Sequence, residues 1–247
     1  MKTVATIEAR MTSSRLPGKV IMKVKKKMML VYLVERLKKV KEIEEIILCT
    51  TKNKTDDILV EQAKKLNIKF FRGSENNVLS RVVNALKKFK ADTIVQITAD
   101  CPIIDYKIIK QAISIYNKNK YDCVTNSFVR SFPDGMDVSV VNSKSLIKTN
   151  TLSKKKKHKE HVTLFIRENP KIFKIKNLIA TKKNYWPELG VTLDEKKDYI
   201  LIKKIINYFY YKKYFFGCSD IIRLVKKKNW IKINENVDRK GYNKKDL

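Results

Sequence analysis

Short apolar runs alternate with segments of helical periodicity along the first 125 residues. Four short runs predict strands: TVATI, EIILCTT and DTIVQITAD, which are rich in β-branched residues, and the short aromatic run KFF. Between and after them, apolar residues recur at helical spacing, which predicts helices near 28–40, 55–66, 76–89 and 106–117. Strands that alternate with helices predict an α/β fold with a mostly parallel sheet flanked by helices and joined by right-handed crossovers.

The pattern changes after residue 125. DCVTNS is a further strand candidate, and FPDGMDVSVV combines a Pro-Asp-Gly turn with a strand. The remaining pattern predicts a helix near 161–168, a strand near 173–179 and two C-terminal helices. Because the chain has no internal repeat and no long Gly/Ser/Pro linker, we predict one domain over residues 1–247, with a peripheral element at about 130–180.

The composition says more about the expected partners of the protein than about its fold. The 247 residues are 43% hydrophobic, enough for a sizeable core, but 55 Lys+Arg against 25 Asp+Glu give a net charge of +30. Such a charge is typical of nucleic-acid binding. The lysines, however, occur in scattered runs (23–27, 154–157, 226–228) without interleaved aromatic residues. We therefore expect solvated lysine faces and no nucleic-acid partner.

Cysteine usage and hydropathy favour a cytoplasmic protein. The four cysteines are far apart and form no CxxC pair, which argues against a zinc site or a disulfide framework. Glu8 and Arg10 interrupt the apolar N-terminal segment, so we expect no signal peptide. No window approaches 18 uncharged apolar residues, and we expect no membrane partner.

The segment 8–19, EARMTSSRLPGK, follows the first predicted strand and combines three cations with a Ser/Gly-rich turn. Ligands of open α/β sheets bind beyond the carboxyl ends of strands. Backbone N–H groups together with Arg and Lys suit a phosphate chain. The segment matches neither the Walker A pattern nor GxGxxG. From its composition alone, it fits a phosphate site and a basic surface turn equally well.

Two aspartates follow later apolar runs and are candidates for one metal site. Asp100 ends the run in ITADCP, and Asp194 ends the run in GVTLDEKKDY. Carboxylates at strand ends hold Mg²⁺ together with substrate phosphates in many enzymes. Taken singly, Asp100 is more typical of a turn or an N-cap, and Asp194 of a helix N-cap. They predict a shared metal only if the two strand ends converge.

For several other polar residues, a local structural role is an alternative to a functional one. His161 begins an apolar helix and fits either a functional site or packing near the helix start. His158 lies within KKKKHKEH, and we expect it to be solvated. In PDGMD, Asp134 suits the turn itself, whereas Asp137 at the strand start has no such structural reason.

Six segments, in order, resemble the cytidylyltransferase family. They are ARMTSSRLPGK, RGSENNVLSR, ITADCPIID, NSFVRSFPDGMDV, KEHVTLFIRENP and VTLDEKKDY. The nearest group is the spore-coat polysaccharide biosynthesis F proteins, which are related to acylneuraminate and 3-deoxy-manno-octulosonate cytidylyltransferases. The resemblance extends from Ile7 to about Tyr199. Each segment is a weak signal, whereas six in the same order are specific.

The resemblance implies a Rossmann-like nucleotidyltransferase fold and a homodimer, with the element at about 130–180 in dimerisation. It implies a reaction of CTP with a sugar acid that forms a CMP-sugar and pyrophosphate in surface polysaccharide synthesis. Mg²⁺ is the implied cofactor, held by Asp100 and Asp194. The implied catalytic residues are Arg10, Lys19 and Asp100. The implied nucleotide-binding residues are Ala9, Arg10, Ser13, Ser14, Arg15 and Lys19. The implied substrate-binding residues are Asn126, Asp134, Asp137 and His161.

The chain departs from the family pattern at three places. The usual G-K-P-M appears as Lys26 to Met29, D-V-E-V contains Ser139, and V-D-T-P-E-D contains Lys196. We expect the first change to affect helix geometry, the second sugar recognition and the third the neighbours of the metal acid. A nucleotide-sugar-dependent glycosyltransferase of similar fold is the alternative function. It usually carries D-x-D, which Asp100-Cys101-Pro102 does not match.

Overall fold

A seven-stranded sheet lies at the centre of the protein. The computed structural model describes residues 1–239, so residues 240–247 of the predicted domain lie outside the described residues. The sheet contains β1 (Thr3–Glu8), β4 (Glu45–Thr51), β5 (Lys69–Gly73), β6 (Thr93–Thr98), β7 (Cys123–Thr125), β8 (Ser139–Asn142) and β9 (Ile175–Asn177). A separate two-stranded ribbon consists of β2 (Lys23–Val24) and β3 (Lys27–Met28). The order in the large sheet is β5-β4-β1-β6-β8-β7-β9.

Helices cover both faces of this sheet. They are α1 (Met29–Leu37), α2 (Asp57–Lys65), α3 (Val78–Phe89), α4 (Tyr106–Asn117), α5 (Ser143–Leu152), α6 (Lys156–Glu160), α7 (Leu164–Glu168), α8 (Lys196–Phe209) and α9 (Cys218–Lys228). Alternate strand residues enter opposite cores, because side chains alternate along a strand. Ile7 belongs to the core that also contains residues of α1, α4, α8 and α9, whereas Val4 belongs to the core that contains residues of α3 and α5.

The predicted α/β class with a mostly parallel sheet is confirmed. Pairs β1–β4, β1–β6, β4–β5 and β7–β9 are parallel, and β8 runs antiparallel to both neighbours. The element predicted at about 130–180 supplies β8 and β9 to the central sheet in addition to α5, α6 and α7. Of the helix predicted near 161–168, residues 164–168 are helical, as α7, and the short helix α6 that precedes it was not predicted.

The strand order creates a switch point beside β1. The chain passes from β1 to β4 and β5 on one side, then returns through α3 to β6 on the other side. The loops that follow β1 and β6 therefore run in opposite directions from the carboxyl ends of two adjacent strands. Open α/β sheets bind ligands at this position. The segment 190–194 joins them there. The Leu193 N–H donates to the carbonyl oxygen of Asp100 at 2.7 Å, and the Val191 N–H to that of Asp134 at 2.7 Å.

The ribbon was not predicted from the sequence. Its turn places Lys25 at φ 49° and Lys26 at φ 62°, a left-handed conformation that favours Gly or Asn. Lys26 stands where the family pattern has Gly, so the departure at this position falls on a residue whose backbone is left-handed. Helix α1 begins directly after the ribbon, with Met28 as its N-cap.

Replacing Gly135 with alanine is expected to lower the free energy of unfolding by about 2 kcal/mol or more. Gly135 has φ +103°, and an added Cβ would lie 2.5 Å from the backbone nitrogen of Thr192. Urea unfolding measures the change. Gly18→Ala is the control, because Gly18 also has positive φ (+68°) but its nearest neighbour would be 3.5 Å away. Its expected cost is about 1 kcal/mol. Equal costs for the two variants would contradict the prediction.

Candidate active site

The loop after β1 is held in shape by hydrogen bonds at both ends. The Met11 N–H donates to Asp56 Oδ1 at 2.8 Å, and the Gly18 N–H donates to the Met11 carbonyl at 3.0 Å. Asp56 is fully buried and also accepts from the hydroxyls of Thr50 and Thr51. Burial alone would raise the pKa of Asp56, but these hydrogen bonds hold it below the usual value. The loop is therefore anchored on an ionised carboxylate.

Lys19, at the end of this loop, brings the two candidate metal acids together. Its Nζ lies 3.2 Å from Asp100 Oδ2 and 2.8 Å from Asp194 Oδ1. The Lys19 side chain is only 11% exposed. The backbone bond between Leu193 and Asp100 explains why the two carboxylates meet, since it ties the segment before Asp194 to the end of β6. This is the convergence on which the metal hypothesis depends.

Lys19 and Asp100 stabilise each other's charges. Burial would lower the pKa of the Lys19 ammonium, but Asp100 and Asp194 raise it above its usual value. Burial would likewise raise the pKa of Asp100, but Lys19 and the Thr98 hydroxyl, 2.5 Å away, bring it below its usual value. Lys19 and Asp100 are therefore both charged at neutral pH.

Two arginines of the same loop are paired with acids. Arg15 Nη2 lies 3.0 Å from Asp194 Oδ2, and Arg10 Nη1 lies 3.5 Å from Glu75 Oε1. Glu75 also accepts from the Thr12 hydroxyl at 2.7 Å and from Asn53 Nδ2 at 2.7 Å. The side chains of Arg10 and Arg15 are 39% and 27% exposed, so both are open to an anionic ligand.

The other predicted nucleotide-binding residues lie on the same loop. Ala9 is buried, and its N–H donates to the Cys49 carbonyl at 3.2 Å. Ser13 is half-buried and Ser14 is exposed. Both serines line a shallow depression with Met11 and Gly18. Their nucleotide-binding roles remain predictions.

Asp134 and Asp137 form a second acidic pair beside the first. Arg130 Nη1 lies 3.4 Å from Asp134 Oδ1 and 3.5 Å from Asp137 Oδ2. Burial and the charge of Asp137 raise the pKa of Asp134 to about 7. Burial also raises the pKa of Asp137, and the charge of Asp100 adds to this effect. The backbone hydrogen bonds from Val191 to Asp134 and from Leu193 to Asp100 place Asp134 beside Asp100, at the switch point of the sheet.

Two predicted substrate-binding residues lie in different surroundings. Asn126 is buried, and its side chain clamps the turn before β8: Nδ2 donates to the Met136 carbonyl at 2.7 Å and Oδ1 accepts from the Val138 N–H at 2.9 Å. It thus supports the segment that carries Asp134 and Asp137. His161 is exposed, and within residues 1–239 no hydrogen bond or ion pair joins its side chain to these acids.

The expectation that His158 is solvated is wrong. His158 is 4% exposed, its Nε2 lies 2.7 Å from Glu168 Oε2, and its ring packs edge-on against Phe165. The surrounding lysines suggested a solvated face, but His158 points inward from the short helix α6.

The donor set suits Mg²⁺ bound together with phosphates. Asp100 and Asp194 present carboxylate oxygens within 3.2 Å of one point, the Lys19 Nζ. Within the described chain, no cluster of three or more His, Cys, Asp or Glu is arranged as a complete metal cage. Mg²⁺ commonly takes one or two protein carboxylates and completes its shell with substrate phosphates and water. The residues present therefore fit this ion.

Several residues of the site were not singled out from the sequence. Glu75 lies in the RGSENN segment but carried no separate signal. Asp198 is the N3 residue of a capping box with Glu195 at the start of α8, a spacing that is readable from the sequence. Arg130 and Arg239 follow no recognisable pattern, because their role depends on chain segments that are distant in sequence.

Glu8, at the end of β1, is a further buried acid. Its Oε2 accepts from Gln96 Nε2 at 2.6 Å, whereas its Oε1 is buried without a hydrogen-bond partner among the described residues. Burial raises the pKa of Glu8 to about 7, although Gln96 and Arg81 oppose the shift. The carboxyl therefore changes charge near neutral pH in the folded protein.

Glu8→Gln is expected to stabilise the protein at pH 8 but not at pH 4. Because the folded-state pKa of Glu8 exceeds the unfolded value, the wild type loses stability as pH rises from about 4.3 to about 7. The neutral glutamine avoids this loss and keeps an acceptor for Gln96. The expected gain is at most about 4 kcal/mol. Urea unfolding at both pH values measures it, and a gain that is independent of pH would contradict the titration of Glu8.

The lysine surface differs in one respect from its prediction. Lys25 Nζ lies 5.2 Å from the ring centroid of Tyr211, and Lys27 Nζ lies 4.8 Å from that of Tyr214. Aromatic residues are thus interleaved with lysines in space, although not in the lysine runs of the sequence. The absence of a nucleic-acid partner remains a prediction. Among residues 1–239, no helix is long and apolar enough to cross a membrane.

Comparison with known proteins shows similarity over almost the whole chain. It is 35% identical over 243 residues to an uncharacterized protein of Methanocaldococcus jannaschii, covering 98% of both chains. It is 32% identical over 204 residues to the spore coat polysaccharide biosynthesis protein SpsF of Bacillus subtilis, covering 81% of this chain and 84% of that protein.

Solved structures and a family model agree with these relatives. A cytidylyltransferase from Leptospira borgpetersenii superposes with a TM-score of 0.89 at 32% identity, covering 98% of this chain and all of the other. CMP:2-keto-3-deoxy-manno-octonic acid synthetase complexed with CTP shares the fold, with a TM-score of 0.63 at 16% identity over 84% of this chain and 99% of the other. The cytidylyltransferase family model matches residues 4–222. The chain therefore belongs to the cytidylyltransferase family and has its Rossmann-like nucleotidyltransferase fold.

Proposed function

We propose that the protein transfers a cytidylyl group from CTP to a sugar acid and releases pyrophosphate, as a step in surface polysaccharide synthesis. The observation that carries the proposal is the meeting of Asp100 and Asp194 on Lys19 at the switch point of the sheet. Family membership supports nucleotidyl transfer. Two similar proteins, a spore coat polysaccharide biosynthesis protein and a CMP:2-keto-3-deoxy-manno-octonic acid synthetase, support the acceptor class.

Three cations of the β1 loop are the proposed triphosphate grip. Lys19 and Arg15 contact Asp194, and Arg10 contacts Glu75. A triphosphate carries more charge than these carboxylates and offers bidentate oxygens to the guanidinium groups. In the proposed complex, the three side chains turn from their acids to the β- and γ-phosphates. They then neutralise the charge that develops on the leaving pyrophosphate.

The proposed reaction is an in-line displacement at the α-phosphorus. The acceptor hydroxyl oxygen forms a bond to this phosphorus, and the bond to the bridging oxygen of the β-phosphate breaks. The electron pair leaves with pyrophosphate, and the hydroxyl proton passes to solvent. Mg²⁺ held by Asp100 and Asp194 would neutralise phosphate charge and lower the pKa of the hydroxyl. Positioning by the loop supplies the remaining acceleration.

Asp134 and Asp137 are the proposed acceptor site. Their side chains are 14% and 30% exposed, and Arg130 places a guanidinium between them. In the proposed complex the two carboxyl groups bind sugar hydroxyls. Arg167 adds a second positive charge that acts on Asp137. Guanidinium groups bind carboxylates bidentately, which suits an acidic sugar better than a neutral one. Asn126 supports this segment from beneath.

Two assays test the proposed function. A thermal-shift screen with CTP, UTP, GTP and ATP, each with Mg²⁺, should show the largest stabilisation with CTP. Pyrophosphate release from CTP is then measured with a panel of nonulosonic and octulosonic acids. Turnover with at least one acid supports the proposal. Release of a nucleoside diphosphate from a nucleotide sugar would instead indicate a glycosyltransferase, and failure to bind any nucleotide would contradict both.

We also propose a cytoplasmic homodimer. The cysteines Cys49, Cys101, Cys123 and Cys218 are free thiols, which suits a reducing compartment. Beside the edge strand β9, Phe128 and Val129 are 46% and 51% exposed, and Ile179 is 53% exposed. An exposed apolar group at a sheet edge is typical of an interface. Sedimentation equilibrium tests the dimer, and a monomer at micromolar concentration would contradict it.

A further inference from the structure

The segment after α9 returns to the candidate active site. Asn234 is 1% exposed, and its Nδ2 donates to the Gly190 carbonyl at 2.9 Å and to Asp198 Oδ1 at 2.8 Å. The carbonyl oxygen of Asp238 accepts from Arg15 Nη1 at 3.2 Å. The segment thus contacts both the proposed triphosphate loop and the segment that carries Asp194.

Because Gly190 has no side chain, it leaves space for the Arg239 guanidinium. A Cβ added at Gly190 would lie 1.8 Å from Cζ and 1.8 Å from Nη2 of Arg239. No side chain fits at position 190 while the guanidinium is in place. The arginine side chain is 9% exposed, so it is almost fully withdrawn from water at this position.

The Arg239 guanidinium lies between two acids of the site. Its Nη2 is 3.0 Å from Asp198 Oδ1, and its Nη1 is 3.7 Å from Asp134 Oδ2. The latter distance is too long for a hydrogen bond, and Nη1 is a buried donor without a partner in the described chain. Arg239 thus acts on Asp198 by a direct ion pair and on Asp134 by charge.

Asp198 connects Arg239 to the proposed metal acid. Asp198 is fully buried, and its Oδ2 accepts from the backbone N–H groups of Asp194 at 3.1 Å and Glu195 at 2.9 Å. Its Oδ1 accepts from Asn234 and Arg239. The orientation of the backbone at Asp194 therefore depends on a buried carboxylate whose ion-pair partner is Arg239.

We propose that Arg239 is a positioning residue of the active site, which fixes Asp198 through the space at Gly190 and so aims the Asp194 carboxylate at the metal position. This inference rests on the proposed function, in which Asp194 binds Mg²⁺. Without the guanidinium, the buried Asp198 charge loses its ion-pair partner, and a rotated Asp198 no longer holds the Asp194 N–H. Groups that orient metal ligands in this way typically change metal affinity by 10–100-fold.

Two substitutions disrupt the ion pair between Arg239 and Asp198 in different ways. Arg239→Met deletes the charge, and Gly190→Ala keeps the charge but fills its space. Arg239→Lys restores a cation and should recover part of the effect. Arg223→Met is the matched control, because Arg223 also pairs with an aspartate, Asp220 at 2.8 Å, but is 75% exposed.

Direct titration with Mn²⁺ or Mg²⁺ in the presence of CTP, without acceptor, is the main measurement. We expect the metal affinity to fall about tenfold in Arg239→Met and Gly190→Ala, and to be unchanged in Arg223→Met. With the acceptor present, the metal concentration for half-maximal rate should rise similarly, while the KM for CTP at saturating metal changes less than about twofold. Hydrogen exchange should increase at residues 194 and 195 in both variants, and Arg239→Lys should lie between them and the wild type.

Wild-type metal affinity in both Arg239→Met and Gly190→Ala would overturn the inference, as would equal losses in Arg223→Met. The same holds if both variants lose affinity but residues 194 and 195 keep their wild-type protection. If no acid supports CTP turnover in the wild type, the proposed acceptor is wrong. The metal titration and the exchange measurement still decide the role of Arg239 in that case.

Discussion

Asp100→Asn is expected to lower kcat/KM for CTP-dependent pyrophosphate release by at least about a hundredfold, equivalent to about 3 kcal/mol of barrier. The substitution keeps the shape of the side chain and an acceptor for the Thr98 hydroxyl. It removes the negative charge that Lys19 contacts at 3.2 Å and that is proposed to bind Mg²⁺. Hard cations bind neutral amide oxygens more weakly than carboxylates. Steady-state kinetics with the acid that supports turnover measures the loss.

Asp92→Asn is a matched control for this prediction. Asp92 immediately precedes strand β6, at the end opposite Asp100, where it is exposed and accepts from the Lys2 N–H at 2.7 Å. The same chemical change there should leave kcat/KM within about twofold of the wild type, because the residue is remote from the switch point. An Asp100→Asn enzyme that works as fast as Asp92→Asn would refute the assignment of Asp100.

The sequence predicts the fold well because the core is made of local patterns. Val4 and Ile7 lie in an apolar run, and their side chains enter opposite cores, as a buried parallel strand requires. The order of strands and helices then follows from alternation along the chain. The ribbon is the exception, since its turn uses Lys25 and Lys26 in a conformation for which lysine gives no signal.

The site is less predictable, because long-range contacts assemble it. Asp100 and Asp194 are each ordinary turn or cap residues in their local sequence. The Leu193 N–H bond to the Asp100 carbonyl brings them together, and no local pattern encodes that bond. Resemblance to a family supplied the pairing in advance. It supplied no role for Arg239, which lies beyond the matched residues 4–222.

The limits of local sequence patterns also explain why the burial of His158 was not predicted. His158 and His161 lie three residues apart among lysines. The local sequence left His161 open between a functional site and packing, and the family resemblance implied a substrate-binding role for it. Helix α6 is one short turn that directs His158 inward to Glu168 and leaves His161 exposed. A five-residue helix carries too little periodicity to show which face is buried.

Lys19→Met is expected to have two effects that distinguish this lysine from a structural cation. Pyrophosphate release should fall at least about a hundredfold, because the proposed triphosphate site loses its least exposed charge. Without divalent metal, Tm should also fall by about 5 °C, since Asp100 and Asp194 then face each other, with Arg15 as the remaining paired cation among residues 1–239. Adding Mg²⁺ should recover much of this Tm, because the ion takes the place of the ammonium between the carboxylates.

Lys27→Met is the matched control for Lys19→Met. Lys27 pairs with Glu35 at 2.8 Å and is 26% exposed, so its loss also breaks a lysine–carboxylate contact, but one with a single acid outside the proposed site. Its Tm should fall less, and Mg²⁺ should not restore it selectively. If Mg²⁺ raised the Tm of the Lys27 and Lys19 variants equally, the metal would not be acting between Asp100 and Asp194. If Lys19→Met retained wild-type turnover, the charge between these aspartates would serve the fold alone, and the triphosphate grip would have to lie on Arg10 and Arg15.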